Sequence, residues 1–440
     1  MFIFLTPPFQ VADEPAHFYR AFQVSEFGWI ASRLETEAVG GMLPRGLLQT
    51  TNRLLGAVPL RSDQPITPSA VAEELRRPFD AADRVPVAFQ NTALYSPLAY
   101  LPQAVGIRLA RLYSLASPVV LLYGARAFNL AVWIFLCYWA IKITPIAKWA
   151  FFLLALAPMA VFQGASASGD AMAMGLTFLA AAWWLRILEQ TRPVWIWELA
   201  LLGVLTAGLA LLKPPYMIMG VLFAAIPSNK FVSRRQRRRF ILILTVVAAF
   251  LATAWILIAH GLYLPSHPGT PVNPAAQLYH IVQDPTHYLR AVLVSHFTTA
   301  SDQLLVEFVG VLGWLDTPIP LWTVGLYYSL FLLALSPPQP AVVPSRPQRL
   351  LALGLWLIAV QVIDVLLYLT WTRVGNVTIQ GLQGRYYLPL APLIVIAGYG
   401  LVRTEQKLTT RRYTLMVGSF VVLATAVLFE LFRYYPISLT

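Results

Sequence analysis

The chain alternates long apolar runs with short polar breaks. Ten of those runs approach the ~20 residues that a helix needs to cross roughly 30 Å of hydrocarbon. They read at about 119–141, 148–165, 171–187, 195–212, 214–228, 240–259, 320–336, 350–370, 387–402 and 413–432. The pattern predicts an all-α polytopic membrane protein, because a segment in lipid must satisfy its own backbone hydrogen bonds and a helix does so internally.

Two long segments interrupt the rhythm. The first, 9–118, follows only MFIFLTPP, which is too short to span a bilayer or to act as a signal peptide. The expectation is a first transmembrane helix truncated by a late start codon, which the genome upstream of Met1 would reveal. With it, the bundle holds about 10–11 transmembrane helices. The chain then divides into the remnant 1–8, a first extracytoplasmic loop 9–118, transmembrane helices over 119–259, a second large extracytoplasmic loop 260–319, and C-terminal transmembrane helices over 320–440. Inside the first loop, NTALYSPLAYLPQAVGIRLARLYSL (91–115) is apolar but broken by Pro97 and Pro102, and reads as a helix lying along the interface. The polar stretch 59–90 reads as an irregular excursion.

Composition agrees with the pattern. Hydrophobic residues make up 58% of the 440 and charged ones only 12%, against about 25% charged in soluble domains. That excludes an ordinary soluble enzyme and a disordered chain. The single cysteine, Cys137, excludes a disulfide scaffold and reads as a small buried side chain. A net charge of +12 would point to nucleic acid in a soluble protein. Here the charge sets orientation instead, and no nucleic-acid partner is expected. If NKFVSRRQRRR (229–239) faces the cytoplasm, the five loops on its side hold 16 of the 32 Lys and Arg, against 5 opposite once the long segment 9–118 is set aside.

The unusual polar residues collect on the outer side. Asp13, Glu14 and His17 follow Pro7-Pro8 at once, and a helix starting near Pro15 would place His17 and Arg20 on neighbouring faces. One acid can cap that helix, while the other, oriented by His17 or Arg20, can serve as a general base. Asp170 ends the small-residue turn QGASASGD, either as a cap or as a second acid. Lys213 stands beside Pro214-Pro215 at a broken helix, either snorkelling to the interface or holding an anion. Arg385 and Tyr386 precede Pro389 where a loop re-enters the membrane; Arg can grip a phosphate bidentately. Arg126 lies inside a span and must find an internal partner or reach the outer surface, and Asp364 is also intramembrane. His260, His267, His280, His287 and His296 in the second loop are spaced too irregularly for a metal motif and read as a solvated loop. GVLGWLDTPIPLW (310–322) reads as an interfacial or re-entrant element.

The blocks PPFQVADEPAHFYRA, ALYSPLAYLPQAVGIRLARL, ALAPMAVFQGASASGDAM, LLKPPY and QGRYYLPLAPL together resemble a bacterial family of multi-spanning membrane proteins of unknown function, often encoded near cell-surface polysaccharide genes. The layout is also similar to the GT-C class of membrane glycosyltransferases. That resemblance implies a plasma (inner) membrane enzyme of the cell envelope with its site facing the extracytoplasmic side. A polyprenyl-phosphate-linked sugar would be the donor, and a glycan, lipid or protein the acceptor. Catalysis would fall to Asp13 or Glu14 as base with His17 and Asp170 beside it, and the donor phosphate to Lys213, Arg385, Tyr386 and Arg126. Mg2+ or Mn2+ bridging Asp13 and the phosphate is left open. The alternatives are a transporter or flippase of lipid-linked glycans, or a repeat-unit polymerase.

Overall fold

The computed structural model describes residues 1–35, 38–59, 61, 64, 66–112, 117–264, 272–299, 301–337, 343–401 and 408–435. The protein is an all-α polytopic membrane protein, and each apolar run of the sequence is helical. Its principal helices include α1 (Glu14–Ser25), α2 (Leu101–Ala110), α3 (Pro118–Ile143), α4 (Asp170–Glu189), α5 (Ile196–Leu212), α6 (Arg234–His260), α7 (Arg346–Thr370) and α8 (Leu408–Tyr434). Of these, α3, α4, α6, α7 and α8 are long and apolar enough to cross a membrane.

Local chemistry fixes several helix starts. Pro118 opens α3, where Ser117 Oγ accepts from Val120 N at 3.3 Å. Ser233 Oγ accepts from Gln236 N at 3.1 Å at the head of α6. Ser345 and Gln348 form a reciprocal capping box on α7.

Three apolar runs are broken rather than continuous, and proline marks each break. Residues 148–165 form Lys148–Ala155 and Pro158–Gly164; 214–228 opens as a 3-10 turn over Pro214–Gly220; 387–402 follows another, Gly384–Leu390, with Pro389 inside it. Two of these breaks carry site residues.

The first loop is more ordered than its composition predicts. Strands β1 (Ser32–Arg33), β2 (Val39–Pro44) and β3 (Arg84–Ala88) form an antiparallel sheet in that order, with Gly40 opposite Ala88 and Pro44 opposite Arg84. A helix, Pro68–Arg76, lies in the stretch read as irregular. The interfacial segment is a 3-10 turn, Pro97–Tyr100, running into α2. There α2 packs on α3 with almost no room: a Cβ on Gly106 would lie 2.1 Å from the Gly124 carbonyl oxygen.

The second loop is helical too, over Pro274–Gln283, Pro285–Val294 and Ser301–Gly310, with a π-helical turn at Ser295–Thr299. This corrects the solvated-loop reading of its histidines. His296 Nε2 lies 3.0 Å from Asp364 Oδ2, and His287 Nε2 lies 3.2 Å from the Asn376 carbonyl. His267 lies outside the described residues. The 310–322 stretch is a two-stranded hairpin, Val311–Leu312 with Thr317–Pro318, that touches the amino-terminal segment through Ala12 N donating to Gly313 O.

Candidate functional site

The amino-terminal segment PPFQVADEP folds around one carboxylate. Glu14, the first residue of α1, accepts from Phe9 N at 3.0 Å, Ala167 N at 3.1 Å, Arg126 Nε at 2.8 Å and Arg126 Nη2 at 2.5 Å. Arg126 also donates to the carbonyls of Ile3, Thr6 and Pro7. Both side chains are 0% exposed. The pair therefore joins the loop start to α3 and to the Gln163–Asp170 turn. Gln103 Nε2 donates to Ser168 O at 3.0 Å, and Asn129 Nδ2 to Ser166 O at 2.8 Å, holding the same turn from α2 and α3.

Fixing that turn sets Asp170. The cap position is Gly169, and the Asp170 side chain makes no capping bond. Its Oδ1 instead accepts from Lys213 Nζ at 2.5 Å. Lys213 follows α5 in extended conformation, where Pro214-Pro215 end the helix, and its ammonium stands 4.5 Å from the Tyr95 ring centre.

Asp13 sits one residue before α1 with φ 62°, a left-handed conformation that turns its carboxylate away from the Glu14 knot. Its Oδ1 accepts from Asn91 Nδ2 at 3.0 Å, and its Oδ2 lies 3.4 Å from Arg385 Nη2, a contact spanning 372 positions of sequence. Arg385 owes its place to Gly384. A Cβ there would lie 2.1 Å from the Leu304 carbonyl oxygen, and the Gly384 N–H donates to Glu307 Oε2 at 2.7 Å. Arg385 Nε donates to Gln383 Oε1 at 2.6 Å, whereas the buried Nη1 meets no hydrogen-bond partner among the described residues. Tyr386 lies beside it, its carbonyl accepting from Tyr216 Oη at 3.1 Å.

His17 stands one turn into α1, with Nδ1 2.8 Å from Tyr100 Oη and its ring stacked near Tyr95. Burial pushes the imidazole down to about 4, against the pull of Asp170 and Asp13, so it is neutral at pH 7. It contributes a polar wall, not a charge. The fold thus brings Asp13, His17, Asp170, Lys213, Arg385 and Tyr386 into one cluster of two acids, two cations, one neutral imidazole and one tyrosine.

Three sequence expectations need correction. Arg126 does not join the cations, because its N–H groups are taken by Glu14 and backbone carbonyls. Glu14 is closed on Arg126 for the same reason and is 0% exposed. Arg20 does not orient Asp13; it donates to the carbonyls of Gly28, Trp29 and Tyr95 beyond the end of α1. Sequence reasoning did not single out Asn91, Tyr95, Tyr100, Tyr216 or Glu307. The only signal for the first four was their place in the apolar blocks around the charged residues; Glu307 lies outside those blocks.

Neither a curated protein nor a solved structure matches the chain. A family model described as "Predicted membrane protein (DUF2142)" matches residues 1–394. By that match, and with the helices found here, the chain belongs to this family of predicted membrane proteins.

Proposed function

We propose that the protein is an integral membrane glycosyltransferase. It moves a sugar from a polyprenyl-phosphate donor to a glycan, lipid or protein acceptor on the extracytoplasmic side of the bacterial plasma membrane. One observation carries this reading: the only substantially exposed acid of the cluster stands beside an arginine whose buried Nη1 has no hydrogen-bond partner among the described residues. Asp13 is 42% exposed, against 13% for Asp170 and 0% for Glu14. A base must meet its substrate, and a phosphate holder must have a free N–H. Asp13 and Arg385 Nη1 meet those two needs side by side.

In this reading Asp13 takes the proton of an acceptor hydroxyl. The oxygen then attacks the anomeric carbon from the face opposite the phosphate, and the carbon–oxygen bond to phosphate breaks with inversion. The electron pair leaves on the phosphate oxygen, where Arg385 and Lys213 neutralise the developing charge. Asp170 keeps Lys213 in place, His17 holds its wall without adding charge, and Tyr386 flanks the arginine. Mg2+ or Mn2+ does not fit beside Asp13, whose two carboxylate oxygens already face the Asn91 amide and the Arg385 cation. No step is routed through a metal.

Two of the charges inside the spans are closed in local pairs, which favours an enzyme over a transport path. Arg126 is closed on Glu14, and Asp364 accepts from Gln361 and pairs with His296. The test is a transfer assay with purified protein and a panel of polyprenyl-phosphate sugars, reading release of polyprenyl phosphate. Turnover is expected with the wild type and is lost when Lys213 and Arg385 are both neutralised. Scrambling of the lipid across liposomes without turnover would replace this reading by a transporter.

A further inference from the structure

Far from this cluster, α5 and α6 run side by side from a common end rich in arginine. Between them lies a groove of about 710 Å³, within the range of small-molecule sites. Leu199, Gly203 and Ala207 of α5 face Phe240, Ile243 and Val247 of α6 along its length, and Arg235 and Arg239 stand at its head. The stretch from Ile196 to Ala207 covers about 17 Å at 1.5 Å per residue, roughly half the hydrocarbon thickness. The apolar window of α6 is only 6% buried, so the groove opens to lipid. The opposite end of α5 leads to Lys213, so this site and the acid–cation cluster lie at opposite ends of one helix.

The polar head of the groove is uncommitted. Arg235 and Arg239 are exposed, lie four residues apart and so share one side of the helix. Neither enters an ion pair among the described residues. Their neighbour Arg237 differs: it donates to the carbonyls of Ile226 and Ala224 and closes the adjoining turn. Gly203 marks the open space, since a Cβ there would meet nothing within 4 Å.

We propose that this groove binds an anionic phospholipid of the leaflet at the arginine-rich end. One acyl chain lies between α5 and α6, and the phosphate sits against Arg235 and Arg239. A free phosphate would use the arginines but not the apolar length; a zwitterionic lipid would use the length but gain less from the charges. The inference does not depend on the glycosyltransferase reading, because none of its residues belongs to the cluster.

The experiment is native mass spectrometry of the full chain released from micelles containing phosphatidylglycerol or phosphatidylcholine, with inorganic phosphate as competitor. Phosphatidylglycerol is expected to be retained over phosphatidylcholine and not displaced by millimolar phosphate. Two basic residues at about 1 kcal/mol each near a charged leaflet, with tenfold per 1.4 kcal/mol, give about a 25-fold loss for R235Q/R239Q. Gly203→Leu fills the groove and is expected to weaken both lipids. Equal retention of the two lipids, displacement by phosphate, or unchanged retention in R235Q/R239Q or Gly203→Leu would overturn the proposal. If the double variant does not fold, Arg235→Gln alone and Gly203→Leu decide the matter.

Discussion

Neutralising Glu14 is the sharpest structural perturbation the fold offers. Glu14→Gln keeps the side chain's shape but removes the charge that Arg126 faces at 2.5 and 2.8 Å in a setting where both groups are 0% exposed. It also turns at least one of the four donors around that carboxylate toward an amide N–H, because the amide offers one oxygen where the acid offered two. Leaving a buried charge without its partner costs about 3–5 kcal/mol. Asp13→Asn sits one residue away but is 42% exposed with its cation at 3.4 Å, so its cost should stay within about 1 kcal/mol. The assay is equilibrium unfolding of purified protein in mixed micelles for both variants, with Arg126→Met and the Glu14→Gln/Arg126→Met pair completing a cycle. The two sites touch, so the double variant should be more stable than the sum of the singles predicts, by about 1–3 kcal/mol. A Glu14→Gln variant as stable as Asp13→Asn, or strictly additive effects, would refute the idea that this pair anchors the amino-terminal segment.

Further outcomes follow from other contacts. The His17 imidazole has its value lowered from 6.5 to about 4 by burial, so the unfolded chain binds more protons between those values. Its contribution is therefore intact above pH 6.5 and lost as pH falls toward 4, by about 3 kcal/mol in all; His17→Asn should flatten that part of the unfolding-against-pH curve, and parallel curves would contradict it. Gly106→Val should lower stability by about 1–3 kcal/mol or more, since its Cβ would meet the Gly124 carbonyl at 2.1 Å, a change read as a lower melting point. Lys213→Met frees the Asp170 carboxylate and should weaken donor binding at least tenfold, measured by titration with a labelled polyprenyl-phosphate sugar.

The spans were legible because lipid imposes a simple rule on them: a long apolar run with few charges has no other stable conformation. The sheet in the first loop escaped notice because β2 reads VGGMLP, with two glycines and a proline that are poor strand formers. It stands because β3 pairs along its length, a contact between distant residues. The second loop's helices are short and carry no long apolar run, and the partners of its histidines, Asp364 and Asn376, lie beyond the loop. In the cluster, Asp13, Asp170, Lys213 and Arg385 stood out as rare charges beside proline and glycine breaks. What local sequence does not carry is pairing: Lys213 meets Asp170 across 43 positions and Arg385 meets Asp13 across 372. Nor does it separate Asp13 from Glu14. Asp13 precedes the helix with φ 62°, so its carboxylate leaves in another direction and stays 42% exposed while Glu14 turns into the Arg126 knot.

The central claim is that Asp13 acts as a base beside a phosphate holder, and the most direct measurement is the kinetic split between two variants. With a polyprenyl-phosphate sugar as donor, Asp13→Asn is expected to keep donor affinity near the wild-type value while turnover falls by about 10²–10⁴-fold. Arg385→Gln should weaken donor binding as well as slow the reaction. Wild-type turnover in Asp13→Asn would contradict the account.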